Sequence, residues 1–119
     1  LLDGGARPVL GSDGLVAPAT PLEGIYAAVT RRTLDGAHPG GWGPQQKISV
    51  EEALRAYTID AAYAGFQEDT LGSLQAGKLA DLVGLDRDIT QAPPDTLADA
   101  RVAATIVGGQ VVYRRDGAD

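Results

Sequence analysis

Apolar runs of β type are scarce in this 119-residue sequence, and their placement limits what it can fold into. One run, Pro8-Val9-Leu10-Gly11-Ser12-Asp13, closes on small and acidic residues, the pattern of a buried strand that ends at a functional loop. The others come after residue 70, at residues 82–85, 104–107 and 111–113. Gly108-Gly109 separates the last two and suits a tight hairpin turn with positive φ. Neither group has enough strands to close a barrel or a sandwich. Each half therefore needs a layer supplied by further chain or by another copy of the chain.

Between the two groups the sequence reads as helix and loop. Thr20-Pro21-Leu22-Glu23 offers a hydroxyl N-cap, proline at the first helical position and a glutamate to complete a capping box. Leu22, Ile25, Tyr26 and Val29 then form one apolar stripe. Ser49-Val50-Glu51-Glu52 repeats the box, with Val50, Ala53, Leu54 and Tyr57 as the stripe of a second helix. Thr58 can cap a further short helix over residues 59–64, which Gly65 would end as a C-terminal glycine. Residues 33–47 hold too many glycines and prolines for a regular element and form a long loop. Residues 89–94 read as a plain connector.

Composition excludes several classes. Hydrophobic residues make up 44% and charged residues 22%, enough apolar surface for a folded chain. A net charge of −6 argues against a nucleic-acid partner, which needs a basic surface that releases counterions. No apolar run has the length to span a bilayer, so no membrane partner is expected. With no cysteine there is neither a disulfide framework nor a thiolate metal site. The chain starts at Leu1 and contains no methionine, which leads us to expect a piece of a longer polypeptide.

Three stretches together resemble the amidohydrolase superfamily, in particular its amidohydrolase-3 and D-aminoacylase-like branch. The first is Val9-Leu10-Gly11-Ser12-Asp13, similar to the end of the eighth barrel strand. The second is residues 48–58, followed by Ala61-Ala62, similar to the helical region before the family's small β domain. The third is Gly72-Ser73-Leu74-Gln75-Ala76-Gly77-Lys78-Leu79-Ala80-Asp81-Leu82-Val83, followed by residues 105–113. The resemblance implies an α/β fold: the last strand and helices of a TIM-like (β/α)8 barrel over residues 1–66, and the C-terminal part of a small β-sandwich domain over residues 67–119. Both units are incomplete in this chain, since a whole barrel needs eight strand–helix units and roughly 250 residues.

The activity so implied is hydrolysis of amide or related C–N bonds in a small-molecule substrate, through water activated by a divalent metal, zinc being the expected ion. By the same resemblance Asp13 is both a metal contact and the general base that takes the proton of that water. The family's other ligands are mostly histidines on earlier strands. His38 is the single histidine here and stands in a loop without a second ligand at metal spacing, so no tight metal binding is expected from this chain alone. Trp42, in the loop after the first helix, is a candidate for the substrate cleft, against the simpler reading of local packing. Asp81 reads as structural, holding the turn before its strand. Ser12 is not a catalytic serine, because no histidine base accompanies it. The expected partners are the missing N-terminal barrel sequence or a second copy of the chain, and the expected compartment is the cytoplasm. The competing reading is a non-catalytic assembly or interaction module derived from the family.

Overall fold

The computed structural model describes residues 2–14 and 16–117. The regular elements are helices α1 (Pro21–Thr30), α2 (Val50–Tyr57) and α3 (Ile59–Ala64), then strands β1 (Leu82–Leu85), β2 (Val102–Val107) and β3 (Gln110–Arg114). Short 3₁₀ helices occupy Leu2–Gly4, Pro44–Gln46 and Pro94–Asp99. The result is a small α/β unit.

Local sequence accounts for most of these boundaries. At α2 the capping box forms in full: the Glu52 amide donates to Ser49 Oγ at 3.1 Å, and the Ser49 amide donates to Glu52 Oε2 at 2.7 Å. At α1 the proline stands at the first helical position, but Thr20 makes no side-chain cap; the first turn is closed by backbone alone, Glu23 N–H to the Thr20 carbonyl at 3.1 Å. The expected capping box is therefore absent there. α3 ends at Gly65, but not in the expected way, because Gly65 has φ −89° and the left-handed residue is Phe66 at φ +55°.

The strands form one antiparallel sheet in the order β1-β2-β3. The hairpin turn sits at Gly108-Gly109, with φ of +56° and +80°. Asp81 acts at this turn and not at the one before its own strand: its Oδ1 accepts from the Gly108 amide at 2.6 Å, while the Ala80 carbonyl accepts from the Gly109 amide at 3.0 Å. The glycine- and lysine-containing stretch before β1 is a set of similar ties. Lys78 Nζ donates to the Glu68 and Leu71 carbonyls, and the Leu79 amide donates to the Thr70 carbonyl at 3.0 Å.

The core gathers Ile25 and Tyr26 of α1, Val50 and Ala53 of α2, and Ile89, Leu97 and Ala100 from the segment between β1 and β2. Residues 89–94 are thus no plain connector, since Ile89 is buried in this core, and just beyond them Leu97 is the most deeply buried large side chain among the described residues. The segment packs on α1, and Arg32 just past the helix reinforces the contact with an ion pair to Asp95 at 2.6 Å. Its apolar residues follow no regular period, so periodicity could not reveal them.

The first β run does not form a strand. Residues 6–12 lack a strand ladder, Val9 is 48% exposed, and Leu10 N–H donates to the Ala56 carbonyl of α2 at 3.2 Å. A strand exists only with a neighbour to pair with, and the described residues supply none on either side. A matching opening lies between the sheet and α2–α3, a groove of about 720 Å³ walled by Leu54, Ala62, Leu71, Leu82, Val83 and Ile106.

Asp86, at the end of β1, joins the sheet to the segment that follows. Its carboxylate accepts from the Arg101 amide at 3.0 Å and lies 3.3 Å from both Arg115 and Arg87. The Arg101 amide above all, then the two guanidiniums, hold its pKa below the ordinary 3.8. A depressed carboxylate stabilises the fold above its unfolded-state pKa and loses that contribution as pH falls through its folded value. Asp86→Asn should therefore flatten the acid limb of stability below about pH 4 and leave its shape near neutrality unchanged. Thermal melts of both proteins from pH 7 to pH 2.5 check this, and parallel acid limbs would contradict it.

Candidate functional site

Asp13 lies at the end of the segment that begins at Arg7, in a turn with Gly14 where its own φ is +53°. Aspartate tolerates this left-handed conformation better than most residues. The turn is closed by Val16 N–H to the Asp13 carbonyl at 3.3 Å and Ala17 N–H to the Ser12 carbonyl at 3.0 Å. The side chain is left exposed to solvent, available to a ligand or to further chain.

Beside it a cleft of about 330 Å³ lies between the Gly11-Ser12 backbone, α1 and Tyr57 of α2. Glu23, Tyr26 and Arg32 are among the residues that line it. Neither Asp13 nor Trp42 lines it. Trp42 is 68% exposed and packs locally, with the Arg31 guanidinium 5.2 Å from its ring centroid. Two hydrogen bonds fix that pairing: Arg31 Nε to the Trp42 carbonyl at 3.0 Å, and Trp42 N–H to the Arg31 carbonyl at 2.8 Å.

His38 is exposed at φ +58°, and its carbonyl accepts from the Gly41 amide at 2.7 Å. The nearby carboxylate of Asp35 is engaged in closing the loop. The Thr33 hydroxyl at 2.5 Å and the Ala37 amide at 3.1 Å hold its pKa below the usual range. No group of three or more His, Cys, Asp or Glu residues stands ready to hold a metal ion among the described residues. Asp13 has the hard oxygen donors a divalent ion takes, but it is one ligand and not a site.

One ionic cluster was not foreseen from sequence. Asp60, in the first turn of α3, is buried, and its Oδ1 lies 3.3 Å from Arg7 Nε and 3.6 Å from Arg55 Nη2. The only signal was an acid in an otherwise apolar, alanine-rich helix, and sequence spacing does not connect it to Arg7.

A sequence profile of the amidohydrolase family matches residues 1–113. An N-substituted formamide deformylase from Arthrobacter pascens is 38% identical over 98% of this chain and 21% of its own length. The Arabidopsis thaliana protein LONG AFTER FAR-RED 3 is 43% identical over 95% of this chain and 19% of its own length. Among solved structures, atrazine chlorohydrolase from Arthrobacter aurescens TC1, complexed with zinc, superposes with a TM-score of 0.63 at 28% identity. That match covers 99% of this chain and 28% of the other. The chain thus spans about a fifth of the length of the curated relatives it matches.

Proposed function

The chain belongs to the amidohydrolase family, and from that premise we propose that it is the C-terminal part of a metal-dependent hydrolase acting on amide or related C–N bonds. In this reading residues 1–66 carry the last strand and helices of a TIM-like barrel, and residues 67–119 carry part of a small β domain. The rest of the polypeptide supplies the neighbours that residues 6–12 and the groove beside the sheet lack. The single observation that carries the reading is the exposed carboxylate of Asp13, presented on a tight turn at the end of a segment with no ladder partner.

The zinc in the atrazine chlorohydrolase structure supports a divalent ion here as well. Such an ion would be held by Asp13 together with residues outside this chain, and would supply a water of lowered pKa. Asp13 would take the proton of that water as its oxygen attacks the carbonyl carbon. It would then return that proton to the nitrogen as the C–N bond breaks, giving a carboxylic acid and an amine. Barrel loops outside this chain would decide which amide fits.

The full-length polypeptide should purify with bound zinc and release formate from an N-substituted formamide, the class named for the Arthrobacter pascens relative. Chelation should abolish the release and added zinc restore it. The 119-residue chain alone should bind zinc more weakly than micromolar. Undiminished activity after complete removal of metal, or a full-length polypeptide that binds no metal, would overturn the reading.

A further inference from the structure

We propose that Arg7 is a positioning residue: through its ion pair with buried Asp60 it sets where the segment ending at Asp13 stands. The proposal rests on the reading that Asp13 contacts a metal and moves the proton. Asp60 has a side chain only 8% exposed, so its negative charge needs a partner held close. Arg7 Nε meets Oδ1 at 3.3 Å, and that oxygen makes no aligned hydrogen bond, so the attraction is mainly Coulombic. The same guanidinium lies over the Tyr63 ring, 4.2 Å from its centroid. Asp60 and Tyr63 both belong to α3, so one short helix grips Arg7 by charge and by stacking.

Three residues further on, Leu10 N–H donates to the Ala56 carbonyl at 3.2 Å, which ties the segment to α2. Residues 7 and 10 are thus fastened to the α2–α3 pair, and Asp13 follows after the same interval again. The two ties together set the course of the segment on the α2–α3 pair, so losing the Arg7 tie leaves only the Leu10 hydrogen bond of the two to hold the chain that leads to Asp13. The second cation at Asp60 provides an internal control. Arg55 reaches the same oxygen at 3.6 Å, but it belongs to α2 and not to the segment that carries Asp13.

The test uses the full-length polypeptide and measures the zinc dissociation constant by competition with a chromophoric chelator, alongside thermal melting. Asp13→Asn sets the reference loss of affinity. Arg7→Ala should weaken zinc binding about tenfold, the lower end of what residues supporting a ligand contribute. Arg7→Lys, which keeps the charge, should recover part of that loss. Arg55→Ala should lower the melting temperature as Arg7→Ala does, yet change zinc affinity less than about twofold, since it removes charge from Asp60 without freeing the segment. Equal zinc affinities for Arg7→Ala and Arg55→Ala would overturn the positioning role. An Asp13→Asn protein that binds zinc like the wild type would instead overturn the metal reading of Asp13 itself.

Discussion

Replacing Asp13 with asparagine in the full-length, metal-replete polypeptide should lower kcat by roughly a hundredfold or more, the scale of general-base loss. The substitution isolates chemistry from folding. Asparagine has nearly the same shape, is at home at the φ of +53° that this turn requires, and replaces a side chain that is exposed. The melting temperature should therefore hardly move. What disappears is the ability to accept a proton, which an amide lacks at any working pH. Steady-state kinetics on formate release from an N-substituted formamide, with zinc content measured in the same samples, gives the answer. Near-wild-type turnover with full zinc occupancy would remove Asp13 from the mechanism.

Residues whose structure depends on near neighbours in sequence were the legible ones. Ser49 and Glu52 form their box because both partners lie within one helical turn. Gly108-Gly109 turns the chain because only two residues are needed to join antiparallel strands. The three helices and three strands of the described residues fall close to where periodicity puts them, β2 starting two residues early at Val102. Misreadings arose where distant contacts decide. The 8–12 run has strand character, but a strand needs a ladder and none is available to it here. Thr20 is a local exception: it has the right residue type for a cap, yet its own φ of −120° and ψ of 89° leave the hydroxyl without a cap bond.

The same division runs through the site. Asp13 is singled out in the sequence only by the family resemblance of three stretches together, since Gly-Ser-Asp alone is an ordinary turn; the structure adds that it is exposed, at φ +53°. The Arg7–Asp60–Arg55 cluster was not legible, because its members come from the first segment, α3 and α2, and meet only once the helices have packed. Leu97 shows the same for the core. It is buried at 1% exposure by α1, which lies more than sixty residues earlier in the chain, and nothing in its own neighbourhood marks it.

The family-like stretch 72–83 makes the strongest stability prediction, because one of its glycines answers two demands at once. Gly72 has φ +83°, where any side chain is strained by about 1–2 kcal/mol. A Cβ there would also stand 2.8 Å from Ala62 Cβ, 2.8 Å from Ile59 Cα and 3.0 Å from the Thr58 carbonyl oxygen. Two of those three atoms are backbone at the start of α3, so no rotamer change can relieve the clash. Overpacking of this kind adds about 1–3 kcal/mol. Gly72→Ala should therefore cost about 2–5 kcal/mol, against a typical domain stability of about 5–15 kcal/mol. Gly77 supplies the comparison within the same stretch: its φ is +93°, but nothing lies within 4 Å of a Cβ built on it. Gly77→Ala should show the dihedral strain alone, about 1–2 kcal/mol. Urea unfolding of the two variants, at matched m-values, separates the contributions, the difference between them being the steric part. Equal destabilisation by both substitutions would mean that the 72–74 loop does not press on α3, and that Gly72 is needed for its backbone angle only.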